Sequence, residues 1–161
     1  MLGSTVADAV TASPYLGFGS LDPMIDTARR HGAGVFVLAL TSNKEGPEVQ
    51  HAAVDGATVA GRVLARLRAL NEGATPLGSF GAVVGATLGV LPADADLAIN
   101  GPLLAPGYGA QGGTTADLRR IFGRSSGSVL ASTSRDLLRH GPDAGRLADA
   151  ARRANDDLRG L

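Results

Sequence analysis

Between Leu103 and Gly113 the sequence reads LLAPGYGAQGG. Glycines stand at 107, 109, 112 and 113, with a single amide side chain, Gln111, among them. Glycine at this density lets backbone N–H groups come close to a ligand, because no side chain stands in the way. Successive N–H groups in such a turn form a concavity for an anion. Further along, the run SVLASTSR places Arg135 directly after an apolar stretch. Its planar guanidinium suits a charge-assisted, bidentate contact with phosphate. The chemistry these residues could perform together is the gripping of a phosphorylated ligand.

Two arrangements would use them. Gly107, Gly109 and Gly112 satisfy G-x-G-x-x-G between a strand and a helix, the spacing of a dinucleotide-binding turn. In that reading Asp136 would serve a ribose and Arg135 a 2′-phosphate. That motif normally opens its domain, whereas here only one strand and one closing helix follow it. The other arrangement is a phosphate cup in a (β/α)8 barrel, built from the loops after the last two strands. The loops PGYGAQGG and STSR hold those places, with the amides of Gly112 and Gly113 aimed at the phosphate.

The elements that position these loops follow from hydrophobic period. Residues 7–12 (ADAVTA) read as a strand, and a helix starts near Ser20 as N-cap, buries Ile25 and Ala28, and stops at Gly32. GVFVLAL, 34–40, is the clearest strand. After TSNKEGP a long helical region is expected, with Val59, Val63, Leu67 and Leu70 at helical spacing in its second half. Strands are predicted at 81–87, 103–106 and 128–134, helices at 115–122 and 143–158. Alternation of this kind argues for a parallel sheet covered by helices, an α/β fold with ligand sites at the carboxyl ends of the strands.

Composition narrows the partners. The 161 residues suit one domain, 44% are hydrophobic, and the formal net charge is zero, so a nucleic acid is not indicated. No apolar run reaches the roughly 20 residues of a membrane helix. Cysteine is absent, which removes disulfides and thiolate metal sites and fits a cytoplasmic protein. His31 and His140 each precede a glycine at a predicted helix end, and His51 has no evident metal partner, so none is assigned a ligand. Tyr108 either shields a ligand from water or covers the mouth of the fold. Lys44 is the only lysine.

Taken in order, TASPYLGFGSL, GVFVLALTSNKEGPEVQHA, GAVVGAT, LLAPGYGAQGG and the STSR turn resemble the orotidine 5′-phosphate decarboxylase family, in particular its long bacterial branch. The resemblance covers almost the whole chain. It implies a (β/α)8 TIM barrel, a homodimer in the family, that converts orotidine monophosphate to uridine monophosphate and carbon dioxide without a cofactor or metal. By the same resemblance, Gln111 would span phosphate and pyrimidine, while Arg135 and the Gly112 and Gly113 amides would hold the phosphate. Ser42 would bond the pyrimidine amide edge, and Ser13 and Pro14 would line the ring pocket. The family's proline after TSN is replaced by Lys44.

Family members also carry Asp-x-Lys-x-x-Asp on the third barrel strand, whose lysine protonates the carbanion left by carbon dioxide loss. No such motif occurs in this sequence, and Lys44 lies in a loop without aspartates at the required spacing. It reads as a solvated surface residue, so no catalytic residue is assigned. Five predicted strands, with the phosphate loops after the last two, correspond to barrel strands four to eight. A full barrel takes about 250 residues. The chain is therefore expected to be a C-terminal portion of the fold, to bind a nucleoside monophosphate, and to lack turnover alone. With two open edges it is expected to self-associate or aggregate, and a non-catalytic ligand-binding remnant, or a partner of a full subunit, is the alternative role.

Overall fold

The structure is a computed structural model that describes residues 7–161. In chain order it contains β1 (Ala9–Ala12), α1 (Asp22–His31), β2 (Gly34–Leu40), α2 (Gly46–Gln50), β3 (Ala53–Val54), β4 (Ala57–Thr58) and α3 (Val59–Leu70). There follow β5 (Phe80–Val84), β6 (Leu103–Pro106), α4 (Thr115–Phe122), β7 (Val129–Ser132), α5 (Arg135–Leu138) and α6 (Ala144–Leu158). β1, β2, β5, β6 and β7 form one sheet in that spatial order, every neighbouring pair parallel. Spatial order repeats chain order without reversal. A doubly wound dinucleotide fold needs a point where the order reverses, so the sheet has the topology of a barrel arc.

The register sorts the side chains onto two faces. Val35, Val37, Ala39, Ala82, Val84, Leu103 and Ala105 point to one face and are essentially inaccessible to solvent. They pack against Ile25 and Ala28 of α1, Val63, Leu64 and Leu67 of α3, and Leu118 and Ile121 of α4. The opposite, concave face carries Thr11, Phe36, Leu38, Gly81, Val83, Leu104 and Leu130. The Phe36 ring occupies the space above Gly81, where an added Cβ would come within 2.5 Å of it.

Local chemistry explains the helix boundaries. α1 ends where Gly32 takes a left-handed conformation (φ 63°). Thr58 caps α3 by accepting from the Gly61 N–H at 3.0 Å, and its own N–H and hydroxyl donate to the Asp94 carboxylate at 2.7 and 2.8 Å. α4 opens with a capping box in which the Asp117 N–H donates to Thr114 Oγ1 and the Thr114 N–H donates to Asp117 Oδ2, both at 3.1 Å. The amino-terminal end of the sheet is pinned by Asn71, which is 1% exposed. Its Nδ2 donates to the Phe80 and Ile99 carbonyls at 2.7 and 3.0 Å, and its Oδ1 accepts from the Phe80 N–H at 3.2 Å.

Two expectations are corrected. Ser20 is not the cap of α1: it lies in a 3-10 turn over Phe18–Leu21, and its hydroxyl donates to the Gly17 carbonyl at 2.7 Å. The long helical region before Leu70 is not continuous. A short α2 is followed by the antiparallel hairpin β3–β4, turned at Asp55 and Gly56 with φ of 52° and 79°. An Asp-Gly pair with both residues at positive φ is a strong hairpin signal, and it overrides the helical period around it. Two of the predicted strands also end earlier than expected: β5 leaves the sheet after Val84 and β7 after Ser132.

Candidate functional site

The loops leaving the carboxyl ends of β6 and β7 lie side by side. Pro106 ends β6, and the chain then turns through Gly107, Gly109 and Gly112, all at positive φ. The loop is closed by its own backbone: the Gly109 N–H donates to the Gly113 carbonyl at 2.9 Å. The Gly112 N–H donates to the Gly109 carbonyl at 2.7 Å, and the Gly113 N–H to the Gly107 carbonyl at 3.1 Å. In this conformation the Gly112 and Gly113 amides serve the loop itself, and holding a phosphate would require exchanging those bonds. A second constraint is steric. A Cβ on Gly109 would stand 2.5 Å from Asp136 Oδ2, so the loop presses on the start of α5.

Gln111 and Arg135 line one cavity of about 190 Å³, together with Pro106, Gly107, Ser132 and Thr133. The Gln111 side chain folds back over Gly107. Among the described residues Arg135 has no carboxylate partner, while the neighbouring Asp136 is held by Arg139 at 3.0 Å. An arginine without an ion pair, beside a glycine loop, is positioned to take an anion. Thr133 escaped the sequence reading. Its Oγ1 is buried and lacks a hydrogen-bond partner among the described residues. A buried orphan hydroxyl calls for a ligand or water, and only the STSR run could have pointed to it.

The remaining predicted residues lie elsewhere on the same end of the sheet. Ser13 and Pro14 line a separate groove of about 530 Å³ with Leu38, Asn43 and Val63. Ser42, exposed just after β2, lies against Gly85 and borders neither cavity. The loop that carries it is tied down: Gln50 Nε2 donates to Thr41 Oγ1 at 2.6 Å, and that hydroxyl donates to Asn43 Oδ1 at 2.6 Å. Asn43 Nδ2 donates in turn to Glu45 at 3.1 Å, which holds the Glu45 carboxyl below its usual range. Lys44 is exposed.

Tyr108 is buried in the core beneath the glycine loop. It borders both the Gln111–Arg135 cavity and a second cavity of about 420 Å³ in front of α6. That second space mixes Arg139, His140 and Arg153 with Asp136 and Asp157, so it selects no sign of charge. No cluster of three or more metal-ligating side chains occurs among the described residues. None of the described helices is long and apolar enough to cross a membrane.

A parallel arc of five strands in chain order, with an amide, an unpaired arginine and a glycine turn at its carboxyl end, has the architecture of part of a TIM barrel. Comparison with known proteins names the family. The sequence pattern of the orotidine 5′-phosphate decarboxylase / HUMPS family matches residues 2–149, and the chain belongs to that family. An orotidine 5′-phosphate decarboxylase of a Nocardioides species is 65% identical over 158 residues, which is 95% of this chain and 56% of the relative. The enzyme of that name from Streptomyces coelicolor is 60% identical, again over 95% of this chain and 55% of its own length. A crystal structure assigned as an orotidine 5′-phosphate decarboxylase, from Streptomyces avermitilis, superposes with a TM-score of 0.90 at 58% identity. The match covers 95% of this chain and 54% of that one. The chain therefore spans little more than half the length of the curated relatives it matches.

Proposed function

We propose that this chain is the nucleotide-gripping part of an orotidine 5′-phosphate decarboxylase, which converts orotidine monophosphate to uridine monophosphate and carbon dioxide. Arg135 takes the phosphate, Gln111 links phosphate and pyrimidine, and Thr133 Oγ1 donates to a ligand oxygen. Ser42 meets the base edge, and Ser13 and Pro14 line the ring pocket. Gly112 and Gly113 offer their amides once the loop opens. The observation that carries this reading is the meeting of Gln111 with an unpaired Arg135 in one cavity, in a chain of this family.

Remote phosphate binding speeds the chemical step only through groups at the reacting centre that interact more strongly with the transition state than with the ground state. The sequence holds no Asp-x-Lys-x-x-Asp, so the chain alone binds without turning over. Calorimetry with uridine monophosphate on the 161-residue chain tests the grip. Arg135→Ala should weaken binding by about tenfold to a hundredfold, the worth of a charge-assisted bond, with Arg135→Lys in between. Equal affinity for ribulose 5-phosphate would remove the pyrimidine assignment. Release of carbon dioxide from orotidine monophosphate by the isolated chain at a rate typical of the relatives would overturn the division of labour.

A further inference from the structure

The residues proposed to hold the phosphate and the base sit on different loops, and one short segment lies between them. Gly85 and Ala86 follow β5. The Gly85 N–H donates to the Leu40 carbonyl at 2.9 Å, at the end of β2. The Ala86 N–H donates to the Pro106 carbonyl at 2.8 Å, at the end of β6. Packing repeats this pattern. A Cβ on Gly85 would stand 3.3 Å from the Ser42 backbone N, and one on Gly113 would stand 3.0 Å from Ala86 Cβ. The loop that carries Ser42 and the root of the glycine loop therefore rest on the same two residues.

Residues 85–102 connect β5 to β6 with neither helix nor strand, so side chains of other elements must hold the connection. Thr58 binds Asp94 in its middle, and Arg68 Nε donates to the Ala98 carbonyl at 3.0 Å. The end next to the bridge is held by Arg120 of α4. Its Nη2 donates to the Leu88 carbonyl at 2.9 Å and its Nη1 to the Gly89 carbonyl at 3.1 Å. Nη2 also donates to Asp117 Oδ1 at 3.2 Å, and the other oxygen of that carboxylate accepts from the Thr114 N–H and hydroxyl. Thr114 directly follows Gly113. One guanidinium thus grips both the segment under the glycine loop and the helix cap on which that loop ends.

We propose that Arg120 is a positioning residue for the nucleotide. It lies outside the Gln111–Arg135 cavity and sets the distance between Ser42 and the glycine loop. A planar fork of fixed donors serves three acceptors at once, a geometry that a lysine ammonium does not reproduce. The guanidinium is half-exposed, so its ion pair with Asp117 contributes little to global stability and its effect is local. Spacing between the two loops matters to a ligand that must reach both, and not to one that reaches only Arg135. Arg120 therefore acts on the preference for uridine monophosphate over inorganic phosphate.

The effect of Arg120 on ligands rests on the nucleotide reading, whereas its hold on the bridge does not, and the two are measured separately. Arg119 supplies the control: on the same helix, its Nε and Nη2 both donate to the Gly160 carbonyl, at 3.0 and 2.7 Å. In the ligand-free 161-residue chain, hydrogen exchange at the Gly85, Ala86 and Gly113 amides should speed up about fivefold or more in Arg120→Met and stay within about twofold in Arg119→Met. Arg120→Lys should fall between them. By titration, Arg120→Met should weaken uridine monophosphate about fivefold to twentyfold and inorganic phosphate less than about twofold. Equal exchange in the two methionine variants, or equal losses for the two ligands, would overturn the proposal. Binding of neither ligand by the unmutated chain would remove the nucleotide reading and the ligand effect with it, while the exchange comparison still decides whether Arg120 holds the bridge. Should Arg120→Met not fold, Arg120→Gln, which keeps an amide donor, enters the same comparison.

Discussion

The two faces of the sheet use the same kinds of residue and fare differently. Leu103 and Leu104 are neighbours on β6, yet Leu103 is fully buried under the helices while Leu104 is only partly covered. The same alternation separates Val35 and Val37 from Phe36 and Leu38 on β2. Sequence composition cannot distinguish these positions, since every one is apolar. A run such as VFVLAL is what a strand needs when both faces are to be buried. One face is covered by α1, α3 and α4, whereas on the other only central positions such as Gly81 and Val83 are buried and Phe36, Leu38 and Leu104 stay partly open.

The largest effect should come from breaking the covered face. Leu103→Ala is expected to destabilise by about 3 kcal/mol, within the range for a buried leucine that leaves a cavity, whereas Leu104→Ala should cost less than about 1 kcal/mol. Urea unfolding of both variants measures the pair, and equal losses would mean that the concave face is already covered, for instance by self-association. An intermediate effect is expected where the glycine loop meets α5. Gly109→Ala combines a φ of 74° with an approach to Asp136, so about 1–2 kcal/mol is lost. Thermal melts should register this alongside weaker uridine monophosphate binding.

The smallest effect concerns pH. The Asp117 carboxyl is held below its usual range, first by the Thr114 hydroxyl, then by Arg120 and the Thr114 N–H. A depressed folded-state value contributes stability above the ordinary aspartate value of about 3.9 and loses it as pH falls through the folded one. Melting temperature should therefore drop below about pH 4, less steeply in Asp117→Asn. An unchanged slope in that variant would place the acid sensitivity elsewhere, with Asp94 and its bonds from Thr58 the next carboxylate to replace.

The fold was legible where period and caps agree. GVFVLAL, LLAP and the helix over Thr115–Phe122 have the bounds the sequence suggests, because each is a short apolar run closed by a turn residue or a capping threonine. The hairpin at Asp55–Gly56 was hidden by helical spacing on its carboxyl side, although its turn chemistry was in view. Asn71 reads in sequence only as a helix C-terminus. Its pinning of Phe80 and Ile99 depends on chain segments nine and 28 residues away. In the candidate site, Gln111 and Arg135 could be paired by motif order, but the commitment of the Gly112 and Gly113 amides to loop carbonyls could not. Backbone bonds inside a glycine turn depend on φ values that glycine leaves open.

The unreversed strand order bears also on how the arc is made. Each strand finds its sheet neighbour in the βα unit immediately before it, so no strand waits for a distant segment to be inserted beside it. Paired strands are nevertheless tens of residues apart in sequence, as Val35 and Phe80 are, and parallel pairing of this kind closes slowly. The strand order is thus compatible with growth of the sheet in chain order, each βα unit adding beside the one before it and β7 last.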